Sequence, residues 1–122
     1  MPSVAPWVIA AAIHGATRCL GRPDGQEIPA WDDLTGSQRD KAVCAVCELL
    51  DSPPRTHQEC HDLWARLMTS DGWTHGPSYD FEARTHPCLV PFDELTEAEQ
   101  IKDKIWASLI EVFRPHATKE AQ

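Results

Sequence analysis

Residues 72–95 read GWTHGPSYDFEARTHPCLVPFDEL, a stretch that suits neither a helix nor a linker. Two clusters, Gly72-Trp73-Thr74-His75-Gly76-Pro77 and His86-Pro87-Cys88-Leu89-Val90-Pro91-Phe92, bracket a charged bridge that holds Asp80, Glu82 and Arg84. Its three prolines and two glycines exclude a continuous helix, because proline removes a backbone donor and fixes φ while glycine opens positive φ. Trp73, Tyr79, Phe81, Leu89, Val90 and Phe92 make it too apolar for a solvated spacer. Residues 71–95 are therefore expected to form a rigid, partly buried, irregular loop with room for a short strand or two. Loops of that kind are where a scaffold holds binding groups.

Outward from this loop, periodicity and capping residues predict four helices, over residues 4–20, 36–51, 57–70 and 97–114. The first has Ser3 as N-cap, Gly21 past its end and an apolar face from Trp7, Val8, Ala11, Ala12, Cys19 and Leu20. Thr35 with Gln38, Thr56 with Glu59 and Thr96 with Glu99 each read as a capping box at the start of a periodic run. Those runs carry Val43, Val46, Cys47 and Leu50; then Cys60, Leu63, Trp64, Leu67 and Met68; then Ile101, Ile105, Trp106, Leu109, Ile110 and Phe113. Pro53-Pro54 and Pro115 close the second and fourth helices. Arg22-Pro23-Asp24-Gly25 reads as a turn, and residues 117–122 as a fraying tail. Trp31-Asp32-Asp33-Leu34-Thr35 echoes Phe92-Asp93-Glu94-Leu95-Thr96. In each, an aromatic and a leucine tuck beneath a helix start. The fold class is mainly α: one four-helix domain over residues 1–122 with an irregular loop between helices three and four.

The chain of 122 residues has length for one domain. A formal net charge of −8 argues against a nucleic-acid binder, which needs many Lys and Arg for phosphates. An anionic small ligand held by a few local cations stays open. No apolar run reaches membrane-spanning length. Val4 to Ile13 lacks the basic residues that precede a secretion signal and reads as helix. Five cysteines without framework spacing fit a reducing cytoplasm.

Chemistry-bearing patterns are sparse. Cys44-x-x-Cys47 with His57, Cys60 and His61 suggests zinc. Cys44 and Cys47 fall inside a predicted helix, however, so they read better as packed thiols, and no metal or cofactor is expected. There is no nucleophile elbow, phosphate-cradling loop or dinucleotide fingerprint. Cys88 and His86, separated by a proline, do not make a nucleophile and base. No catalytic residue is assigned, and a non-enzymatic protein is expected.

The spacing Gly72-Trp73-x-x-Gly76, then His86-Pro87-Cys88-Leu89-Val90-Pro91-aromatic-x-x-Leu95, resembles the repeat domain of ryanodine receptors, the RyR domain. That domain also occurs as a small stand-alone or fused module in bacteria and their phages. His61-x-x-Trp64 upstream belongs to the same pattern, so the resemblance spans at least residues 57–103. It implies non-enzymatic recognition of a nucleotide-like small molecule, adenine-containing or a cyclic signalling nucleotide, by a sensor or sequestering protein. In the receptors' paired copies the helix tryptophan stacks on the base, a role that falls here to Trp64. The alternative for Trp64 is core packing beside Cys60 and Leu63.

The other candidate ligand-binding residues are His61, Tyr79, Asp80, Arg84 and His86. Arg84 can hold phosphate bidentately or pair with Asp80 or Glu82. His86, held extended by Pro87, can aim its ring at a ligand or bond loop backbone. Tyr79 offers a hydroxyl or a ring, or anchors the loop. Arg84 stands where the family pattern has a lysine. His75, Phe92 and Gln100 stand where it has tyrosine, tyrosine and lysine; these three swaps remove hydroxyl and ammonium donors, so the ligand is less tightly implied than the fold. A homodimer with both Trp64 side chains near a two-fold axis is expected, because the receptor copies work in pairs. The alternatives are a protein–protein interaction or assembly module without a small ligand, and a zinc-binding protein.

Overall fold

In the computed structural model, which describes residues 3–21, 25 and 27–118, three threonines open three helices. Thr35, Thr56 and Thr96 each accept a backbone N–H three residues on, starting α2 (Gly36–Asp51), α3 (His57–Ser70) and α4 (Glu97–Phe113). Gln38 and Glu99 complete reciprocal boxes by accepting the threonine N–H, both at 2.9 Å. The third box is only half formed. Glu59 accepts instead from the Arg55 N–H at 2.7 Å and pairs with the Arg55 guanidinium. A neighbouring cation thus redirects the carboxylate one residue upstream.

The first helix, α1 (Pro6–Leu20), starts two residues later than its apolar pattern suggests, with Ala5 as cap and no contribution from Ser3. Proline is pre-shaped for a helix start and holds the residue before it extended. Val4 is committed elsewhere: its N–H donates to the His116 carbonyl at 2.8 Å and its carbonyl accepts from Thr118 at 2.9 Å. Ala117 and Thr118 are therefore held against the N-terminal segment and do not fray. α4 ends at Phe113, where Arg114–His116 tighten into a 3₁₀ turn around Pro115. The expected turn at 22–25 lies largely outside the described residues, as do residues 119–122.

All four helices contribute to one core: Ile9, Ala10 and Ile13 of α1, Val46 and Leu49 of α2, Cys60 and Leu63 of α3, and Ile110 of α4. The echoed segments before α2 and α4 are single 3₁₀ turns, Trp31–Asp33 and Phe92–Glu94.

The loop holds two strands, β1 (Thr74–His75) and β2 (Thr85–His86), paired in parallel with Thr74 opposite Thr85. Its glycine spacing has a physical cause at both ends. Gly72 has φ 89° just after α3, where a side chain is disfavoured. A Cβ on Gly76 would lie 2.6 Å from the Thr85 Cβ, so the two strands meet only over glycine. Trp73, between them, is 4% exposed.

Candidate functional site

Four helices and β2 enclose a half-open cleft of about 190 Å³. Most of its wall is small or apolar: Ala10, Ile13, Ala42, Ala45, Leu49 and Leu63. At one end Trp64, His86, Lys102, Asp103 and Trp106 bring rings and charge together.

Trp64 on α3 is half-buried. The Lys102 ammonium lies 3.4 Å from its ring centroid, and His86 meets it edge-on at 4.9 Å. His86 also touches Tyr79 at 5.6 Å, and Tyr79 stacks on Trp73 at 5.5 Å. A continuous aromatic wall thus runs from the loop core to the cleft. The His86 ring is fixed because its Nδ1 accepts the Cys88 N–H at 3.1 Å. His86 therefore combines two of the roles open to it, bonding loop backbone while facing the cleft.

His61 is 1% exposed and belongs to the framework. Its Nε2–H donates to the Val90 carbonyl at 2.7 Å, tying α3 to the loop. Its Nδ1 faces Asp103 Oδ2 at 3.6 Å, and neither atom has a hydrogen-bond partner among the described residues. Asp103, 2% exposed, thus stands between the framework histidine and the cleft.

Arg84 and Asp80 do not reach this end. Arg84, at φ 58°, donates to the Asp71 carbonyl and lies 3.7 Å from the Asp71 carboxylate. Neither Asp80 nor Glu82 is its partner. Asp80 Oδ1 accepts the N–H groups of Glu82 and Ala83 at 3.0 and 3.1 Å, and the Asp80 backbone pairs with Thr85. Both residues shape the loop. Asp71 also receives Lys41 at 2.7 Å. The Lys41 hydrogen bond and charge, with a smaller contribution from Arg84, hold its carboxyl below the ordinary range.

Lys102, Asp103 and Trp106 were not among the sequence candidates. Asp103 carries a readable signal, because it lies one turn before Trp106 and two before Ile110 on the buried face of α4.

Cys44 is exposed and Cys47 half-buried on α2. Burial, with Cys44 second, pushes the Cys47 thiol up, away from the thiolate a metal needs. Among the described residues no three His, Cys, Asp or Glu side chains converge to hold a metal. Burial, then Asp103 and Glu59, push the Cys60 thiol up to about 12. No helix among the described residues is long and apolar enough to cross a membrane.

These elements define a small helical module in which a Pro/Gly loop braces an aromatic cleft. Residues 30–112, more than half of the chain, match the family model of the RyR domain, and the protein belongs to the RyR domain family.

Proposed function

We propose that this domain is a non-enzymatic recognition module for a small nucleotide, adenine-containing or a cyclic signalling nucleotide, bound where Trp64 meets Lys102. The observation that carries this reading is the Lys102 ammonium 3.4 Å from the Trp64 ring centroid beside a ring-sized cleft. A flat indole face suits any base, and stacking on it is worth about 1–3 kcal/mol. The lysine supplies the positive charge that a phosphate needs in an otherwise acidic chain. Its flexible stem lets it leave the ring for a phosphate, and the cation–π contact given up is worth roughly 0.5–2 kcal/mol. Because Arg84 is tied to Asp71, Lys102 replaces it as the phosphate partner. The cleft is smaller than the roughly 300–1,000 Å³ of pockets that enclose drug-sized ligands. It therefore takes a base, with sugar and phosphate toward solvent.

The test is a thermal-shift panel of linear and cyclic nucleotides on wild type and Trp64→Ala. A binder of the folded state raises the melting temperature by mass action. The expected result is a shift for at least one nucleotide that Trp64→Ala removes. A panel without any shift on wild type rejects the reading.

Two copies would bring a second Trp64 to the same ligand, as in the paired receptor domains. A monomer by light scattering, both with and without the bound nucleotide, rejects that pairing. A second reading, a protein-interaction module, draws on three exposed apolar side chains: Trp7 and Leu20, each 50% exposed, and Val112 at 61%. A stable oligomer whose melting no nucleotide alters favours it.

A further inference from the structure

Resting on the nucleotide reading above, we infer that Asp103 selects for a ring bearing an exocyclic amino group, and that this ring enters the space between the helices. Asp103 is 2% exposed, lines the cleft, and has Oδ2 without a hydrogen-bond partner among the described residues. The carboxyl group keeps acceptor capacity for the cleft. The neighbouring Ala10, Ala42, Ala45, Leu49 and Leu63 side chains offer no donor, and the donors that also line the cleft, His14, Thr17, Lys102 and Trp106 among them, make no hydrogen bond to Oδ2. A ring N–H supplies one, and a charge-assisted bond to it is among the stronger ones. A ring without that donor leaves a buried acceptor facing apolar atoms, which is the costly case.

The space suits the ring. Engineered cavities of about 150 Å³ with apolar linings take up benzene, and this cleft measures about 190 Å³. The three alanines on α1 and α2 keep it open. Asp103 is thus the residue that reads the edge of the base, while Trp64 holds its face.

The experiment compares adenosine 5′-monophosphate with purine riboside 5′-monophosphate, which lacks only the amino group, by titration calorimetry. Wild type is expected to bind the amino compound at least about tenfold tighter, since a site built to pair an N–H discriminates against its absence. Asp103→Ala brings the ratio close to one. Ala45→Leu fills the space, keeps the fold with an equal or higher melting temperature, and removes binding of both compounds. Those two readouts on wild type and Ala45→Leu stand even if Asp103→Ala fails to fold. Equal affinities in wild type, or undiminished binding to a folded Ala45→Leu, overturn this inference while the nucleotide reading survives. If no nucleotide of the wider panel binds wild type, both fall together.

Discussion

Among the described residues, two lysine–tryptophan pairs have taken opposite roles. Lys41 sits 5.5 Å from the ring centroid of Trp73, but its ammonium is engaged by Asp71 at 2.7 Å, and the tryptophan is 4% exposed. Lys102 lies closer to Trp64, at 3.4 Å, and Trp64 is half-buried at the end of a cleft. The residue types are the same, and so is the aromatic wall that joins them through His86 and Tyr79. What differs is access. The first pair closes the loop onto α2 and α3, whereas the second sets a half-buried ring and a buried ammonium at the end of the cleft. A tryptophan in the most distinctive motif of a chain can thus be the buried one, while another lines the cleft.

The largest expected difference between the pairs is in stability. Trp73→Ala removes a buried indole and should cost about 3–5 kcal/mol in urea unfolding, whereas Trp64→Ala should cost less than half as much. Equal losses would erase the distinction between brace and site. Next comes affinity. Lys102→Met should weaken a bound nucleotide roughly tenfold by removing a charge-assisted phosphate contact, while Lys41→Met leaves it unchanged. Calorimetry on both variants decides which lysine serves the ligand.

A smaller effect concerns the thiols. Cys60, with its thiol pushed up to about 12, stays protonated at neutral pH, so native alkylation followed by mass spectrometry should modify exposed Cys19 and Cys44 before Cys60. Folding raises the Cys60 thiol, so its contribution to stability is full below pH 9 and declines as pH rises toward about 12. The smallest effect is at Asp71. Its carboxyl is held low by Lys41, so the stabilisation is present above the ordinary carboxylate range and is lost as pH falls through the lowered value. In an NMR titration Lys41→Met should move that midpoint back up. An unmoved midpoint would separate Lys41 from the brace.

Much of the fold was legible because its signals are local. Thr35 with Gln38 and Thr96 with Glu99 specify their helix starts within four residues, and Pro and Gly punctuate the loop. The misses came from contacts distant in sequence or from a competing neighbour. The Val4–Ala117 pairing withdrew Val4 from the first helix, and Arg55 drew Glu59 out of its box. The site was half legible. Trp64 and His86 stand out by type and by motif, whereas Arg84 reads as open to a phosphate, Asp80 or Glu82, because its tie to Asp71 spans thirteen positions. Lys102 looks like an ordinary charge on a helix face, and only the packing of α3 against α4 brings it over Trp64.

The bridge between Val4 and Ala117 has a consequence for how this domain can be carried. Its first and last described segments touch, so the chain enters and leaves the body of the domain at one place. A domain tied off in this way can be set into a surface loop of another protein without stretching either end. Force applied through those two ends would load the Val4–Ala117 bridge first, before it reached the helices and the cleft between them.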